Sequence, residues 1–292
     1  MPLIQVGLVD KTKEIDPELM QTVAAALNIQ VNRDLAPFWN VQATVTFLPT
    51  ASKIPSGVWP VFLVKQLPPG EGGFHLDKHN QPYAEVIASS ASDEWTIDAS
   101  HETLEMLVDP QGNRLQTSPA IEIVNGKIQD GAGQFAYLVE ACDPCEADNF
   151  GYQIQGVAVS DFITPHFYDP MATAGTRYSF TGAITHPREI LPGGYISWLN
   201  QETDHMQQLL FVDPNSPPKI VDLGPATGNS LREWIDNHMR ESTGKATVRA
   251  NRNSLNRELL EACRAKRANL DKIARKRATL YDQPKRRSAT AE

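Results

Sequence analysis

The chain has 292 residues, 41% of them hydrophobic and 21% charged, with 3 cysteines. It is long enough to bury a substantial core, has no apolar run of the roughly 18 residues a membrane helix needs, and has too few cysteines for a disulfide framework. The net charge of −8 hides an asymmetry, because residues 240–292 carry 15 Lys and Arg against 6 Asp and Glu, while residues 1–239 carry 12 against 29. An acidic body with a basic tail is two electrostatic objects that one net charge conceals. Met1 to Val6 lack a basic stretch followed by a long apolar one, so a cytoplasmic, reducing location is expected.

Leu3 to Leu8 reads as a short buried strand. Asp16-Pro17-Glu18 is a helix start, with Asp16 as N-cap and Pro17 at the first helical position. Leu19, Val23, Leu27 and Val31 then recur every four residues, predicting a helix to about Leu35. Ala43 to Leu48 and Trp59 to Leu67 read as strands. Gly72 to Leu76, followed by Asp77 to Asn80 and Pro82 to Ile87, reads as an edge strand or hairpin punctuated by glycines and a proline. His75 and His79 fall here as edge-strand and turn residues rather than as ligands.

The stretch Ala99 to Pro110 carries the most chemistry. As a helix it places His101 and Glu105 one turn apart on a single face, where an imidazole and a carboxylate can grip one metal ion. Glu102 points toward whatever else that ion holds. Leu104, Met106, Leu107 and Val108 supply a burying face, and Pro110 ends the helix. The pattern is an HExxH-like metal helix with glutamate in place of the second histidine. The bland alternative is an amphipathic helix whose glutamates are surface charges.

The order helix, strand, strand, Gly-bearing edge strand and His-Glu helix resembles the N-terminal half of zincin metallopeptidases, over roughly residues 1–110. The Ser-His-Glu-x-Leu-Glu-Met-Leu-x-Asp-Pro segment is also similar to one in uncharacterised bacterial proteins. The chain departs from the zincin pattern at Glu105, where the family usually has histidine. The resemblance implies a zincin-like α/β half with the HExxE helix, within a metallopeptidase-type domain over 1–213. With the β-rich half, the linker and short helix over 214–250 and the basic helical tail over 251–292 that the residues themselves suggest, the expected fold class is α+β. The resemblance further implies zinc, or another divalent metal given Glu105, and a peptide or protein substrate.

A catalytic zinc normally has three protein ligands and an open position. Asp109 lies two turns past His101 and is placed as a helix-end or supporting residue. Glu140 is the preferred third ligand, because it follows an apolar run that can anchor it, with Asp143 as a supporting or alternative ligand. The alternative is a plain acidic loop. Cys142 and Cys145 lack a second Cys or His pair and read as unpaired cysteines.

Beyond residue 150 the chain reads as β-structure. Tyr152 to Val159 is strand-like, and Ser160 to Tyr168 is a polar-aromatic segment that would wall a pocket. His166, Tyr168 and Tyr178 are candidate transition-state donors, each weighed against simple packing. Gly193 to Trp198 and Met206 to Val212 suggest a hairpin, and Pro214 to Pro218 a linker. Ser230 caps a helix to about Glu241, and residues 254–281 form a long helix with a 4-3 seam of Leu259, Cys263, Lys266, Leu270, Ile273, Arg277 and Leu280.

Three functions compete at this level. One is a zinc peptidase using His101, Glu105 and Glu140 as ligands and Glu102 as general base. A second is a non-catalytic protein on the same scaffold, assembling with itself or another protein through residues 251–292. The third is a metal-free acidic scaffold. Nucleic acid is not expected as a partner, since the basic tail has no interleaved aromatics, and no membrane is expected.

Overall fold

The computed structural model describes residues 3–68, 71–228, 230–241 and 257–281. The expectations for residues 242–256 and 282–292, and for the Leu280 side chain, lie outside the described residues. The fold is α+β. A mixed sheet with helices on it comes first, an antiparallel sheet follows, and a long helix ends the described chain.

The first sheet contains β1 (Ile4–Asp10), β2 (Ala43–Phe47), β3 (Val58–Val64), β4 (Gly73–Lys78) and β5 (Gln81–Ile87), in the order β2-β1-β3-β5-β4. β1 pairs in parallel with β2 and β3, and β3 in parallel with β5. β4 turns back antiparallel on β5 and forms the edge. The two-residue turn His79-Asn80 has both φ angles positive, at 55° and 60°, which matches the twist of a tight hairpin.

Helix α1 (Pro17–Ile29) begins as its sequence dictates: Asp16 accepts the Glu18 N–H, and Pro17 opens the first turn. The single helix expected to Leu35 is interrupted. Residues Gln30–Leu35 widen into a π-helical stretch before α2 (Ala36–Trp39), which stops at left-handed Asn40. Pro37 has no N–H to return to the carbonyl of Arg33, so the regular α ladder cannot continue there. The stretch also turns Gln30 inward, where it donates to the Ser160 carbonyl and accepts from Ser100.

Helix α3 (Trp95–Val108) carries the His-Glu motif and is buried at every position except Asp98. A helix with this many polar residues can be buried only if each finds a partner. Thr96 donates to the Ala158 carbonyl, Ser100 to Gln30, and Thr103 to the Ala99 carbonyl one turn back. His101, Glu102 and Glu105 of α3 meet in the cluster described below.

The second sheet is antiparallel, in the order β12-β11-β10-β7-β6, with β6 (Leu115–Val124), β7 (Lys127–Leu138), β10 (Tyr195–Asn200), β11 (His205–Leu210) and β12 (Lys219–Gly224). The β10–β11 hairpin lies where the sequence suggested. The β6–β7 hairpin turns at Asn125-Gly126, whose φ angles are 52° and 75°. A short hairpin of β8 (Tyr152–Ile154) and β9 (Val157–Val159) packs against α1 and α3, where one strand-like run was expected. Positive φ angles at Gln155 and Gly156 fold that run on itself.

One core joins the two sheets, including Leu8, Leu27 and Leu63 from the first sheet and its helix, Leu104 from α3, and Tyr137 and Trp198 from the second sheet. Helix α4 (Leu231–Glu241) sets Ile235 and Met239 against Leu138 and Met206. Helix α5 (Arg257–Tyr281) packs Leu260 and Cys263 against Ile97 and Ala158, and Arg267 pairs with Asp93. Farther along the expected seam, Leu270 and Ile273 are exposed. No helix among the described residues is long and apolar enough to cross a membrane.

Candidate metal centre

Four segments converge beneath the edge strand. Helix α3 presents His101, Glu102 and Glu105. β4 presents His75 from the face turned toward α3. The loop after β7 presents Glu140, Asp143 and Glu146, and α4 presents Arg232. All eight side chains are buried.

Glu105 is the hub. Its Oε2 lies 3.2 Å from His101 Nε2, 3.6 Å from His75 Nδ1 and 3.9 Å from Arg232 Nη1. Its Oε1 accepts the N–H of Cys142 at 2.9 Å, which fixes the carboxylate. His101 Nε2 lies 3.2 Å from Asp143 Oδ1 as well. His75 Nδ1 is 3.5 Å from Glu102 Oε2, and its Nε2 is 3.9 Å from Glu140 Oε2. Among the described residues, four overlapping groups of three have ligand atoms close enough to share a metal ion. They are His101–Glu105–Cys142, His75–Glu102–Glu105, His101–Asp143–Glu146 and Glu105–Glu140–Asp143.

Supporting contacts set these side chains. Asp109 uses its carboxylate to accept the Arg114 N–H at 2.7 Å and its carbonyl to accept His75 Nε2–H at 3.1 Å. It therefore orients the cluster from the helix end. Gly73 lets Glu102 lie against β4: a Cβ there would stand 2.7 Å from Glu102 Cγ. Arg232 donates to Asp143 Oδ2 at 2.9 Å and to Asp236 at 3.2 Å, lies 3.2 Å from Glu140 Oε2, and reaches the Tyr195 hydroxyl.

The electrostatics follow from burial and crowding. Burial opposes charge on His101, but the Glu105 charge and the close approach of Asp143 outweigh it and hold the imidazole well above its ordinary value. Burial pushes Glu105 up, yet His101 and Arg232 hold it well below the usual carboxylate range. Burial dominates at Glu140, raising it well above that range despite Arg232, and it raises Glu102 too.

These residues fit a divalent cation by one direct observation. His75 Nδ1, Glu102 Oε2, Glu105 Oε2, both Glu140 oxygens and Asp143 Oδ1 are buried polar atoms with no hydrogen-bond partner. Buried lone pairs facing one another are costly unless a cation sits among them. Their 3.2–3.6 Å separations about Glu105 and the histidines are close to the roughly 3.3 Å edge of a tetrahedron with ligands about 2.0–2.1 Å from zinc.

The structure thus brings together His101, Glu102, Glu105, Glu140 and Asp143, with Asp109 at the rim. Tyr168 is buried, its hydroxyl has no partner, and burial and then the Glu140 charge push it well above the ordinary phenol value. His166 is not brought in. Its ring is 55% exposed and pairs with Asp169 at 2.9 Å, because the 3-10 turn Pro165–Tyr168 sends adjacent side chains in different directions. Sequence reasoning missed the site role of His75, Glu146 and Arg232. His75 is the one buried residue of β4, and the pairing of β4 with β5 carries it to the cluster, so no alternation along the strand marked it. Cys142, Cys145 and Cys263 are free and buried.

No family model matches the chain, and neither a curated protein nor a solved structure shows significant similarity to it. Fold and site define the class: an α+β protein whose central buried helix carries a histidine–carboxylate cluster able to hold a metal ion.

Proposed function

We propose that the protein is a zinc-dependent hydrolase of the metallopeptidase type. The observation that carries this reading is the set of buried ligand atoms around Glu105 that have no hydrogen-bond partner, on a helix that also presents Glu102. His101 and Glu105 would hold the metal with a carboxylate from the following loop. Asp143 Oδ1 lies 3.2 Å from His101 Nε2, and Glu140 completes a group with Glu105 and Asp143. When bound, the ion supplies Lewis acidity, polarising a carbonyl and lowering the pKa of water.

Glu102 is the proton acceptor in this reading. Burial raises its affinity for a proton, which suits a group that takes one up and gives it to a leaving amine. β4 is the last strand of its sheet, suited to pairing with an extended peptide. A cleft of about 490 Å³ lies beside it, lined by Phe74 and Leu76 of β4 and by Glu233 and Asn237 of α4. Tyr168, near Glu140, is a candidate donor to a developing oxyanion. Glu102→Gln should abolish hydrolysis of unstructured protein substrates while the His101 side of the cluster keeps its metal; full activity in that variant would sink the mechanism.

A second reading, a non-catalytic protein in which metal braces the fold, is supported by the near-complete burial of the cluster and by the exposed Leu270 and Ile273 on basic α5. Under it, removing residues 257–292 changes the oligomeric state or partner binding, and no hydrolysis is found.

A further inference from the structure

His75 donates its Nε2–H to the Asp109 carbonyl at 3.1 Å. A carbonyl only accepts, so that nitrogen carries the proton and a neutral ring presents a lone pair at Nδ1. Nδ1 has no hydrogen-bond partner, yet it faces Glu102 Oε2 at 3.5 Å and Glu105 Oε2 at 3.6 Å. A backbone carbonyl fixing the far nitrogen while the near one meets carboxylate oxygens is how a metal-ligating histidine is held.

His101 belongs to a different group. Its Nε2 faces Asp143 Oδ1 and Glu105 Oε2, each at 3.2 Å, and Glu146 closes a triad with His101 and Asp143. Each imidazole therefore has its own carboxylates, and Glu105 Oε2 stands at ligand-to-ligand distance from both rings.

We propose that the cluster is a two-cation centre. Glu105 Oε2 is shared between one divalent ion held by His75 and Glu102 and another held by His101 and Asp143, with Glu146 beside the second. The inference rests on the metal reading above for the His101 ion and adds the His75 ion to it. Glu102 then holds an ion through Oε2, and its other oxygen is the one free to take a proton.

The test is a Mn²⁺ titration of the metal-free full-length chain, followed by calorimetry and electron paramagnetic resonance. Two ions per chain and, at two equivalents, the multiline spectrum of an exchange-coupled Mn²⁺ pair are expected. His75→Ala should reduce the stoichiometry from two to one and leave an uncoupled six-line spectrum. One ion in the wild type would overturn the two-cation centre and leave the single-metal hydrolase standing, whereas no ion would overturn both. Two coupled ions in His75→Ala would overturn the assignment of His75. Should that variant not fold, the wild-type stoichiometry and spectrum still decide.

Discussion

Arg232 brings α4 onto the cluster, and its replacement by methionine tests that placement. Arg232 is 5% exposed, and its guanidinium contacts Asp143 at 2.9 Å and Glu140 and Asp236 at 3.2 Å each. Methionine keeps much of the stem and removes the charge that Asp143, Glu140 and Asp236 share. Breaking a buried ion pair from one side costs about 3–5 kcal/mol. At roughly 2–4 °C per kcal/mol for a chain of this order, the metal-free variant should melt about 6–20 °C below the wild type. Zinc at a hundredfold excess over its Kd should stabilise the variant by about 3 kcal/mol relative to its own metal-free form. The assay is thermal melting of Arg232→Met and wild type in chelator and then in zinc. A loss below about 1 kcal/mol in chelator, the value of an exposed pair, would show that Arg232 is not seated among these carboxylates and would refute the argument.

Ser100→Ala should destabilise the protein by about 1–3 kcal/mol, because it strands the Gln30 Oε1 acceptor and the Ser160 N–H, both of which bond to Ser100 Oγ; chemical denaturation would reveal it, and a neutral result would mean that the network rearranges. The stability of the metal-free protein should fall as pH rises. His75 and His101 sit above the ordinary 6.5 and Glu140 well above the ordinary 4.5, so each binds protons more tightly when folded. The His contributions are complete below 6.5 and are lost as pH rises through the folded values, and ionising Glu140 adds to that loss above 4.5. Glu105, held low, acts in the opposite sense: its contribution is present above 4.5 and is lost as pH falls through its folded value. Zinc competes with the histidine protons, so stabilisation by zinc should grow with pH. Denaturation curves between pH 5 and 8, with chelator and with zinc, check both slopes, and a metal-free stability that climbs from pH 6 to 8 would contradict them.

The motif helix was legible because the i,i+4 pair and its apolar partners lie within one short stretch. The parallel strands were legible as apolar runs, and α1 through its Asp16-Pro17 start. The β6–β7 hairpin was not, although Asn125-Gly126 is a turn signal, because Pro119, Gly131 and Gly133 interrupt the alternation and the distal strands are largely exposed. β12 was hidden behind the prolines of 214–218, where a linker was expected. Of the candidate site, the α3 residues could be read locally and Glu140 and Asp143 from their acidic segment. His75 and Arg232 could not be assigned to it, because sheet pairing and α4 docking place them there and neither leaves a periodic trace in the sequence.

The most direct measurement is the metal content of the chain, purified without a chelating tag and dialysed against zinc, beside Glu105→Gln. The amide oxygen can still accept the Cys142 N–H, while the shared anionic ligand is gone. Elemental mass spectrometry should find at least one zinc per chain in the wild type and little or none in the variant, with circular dichroism unchanged. A wild type that holds no metal, or a variant that holds as much, would contradict a metal centre built around Glu105.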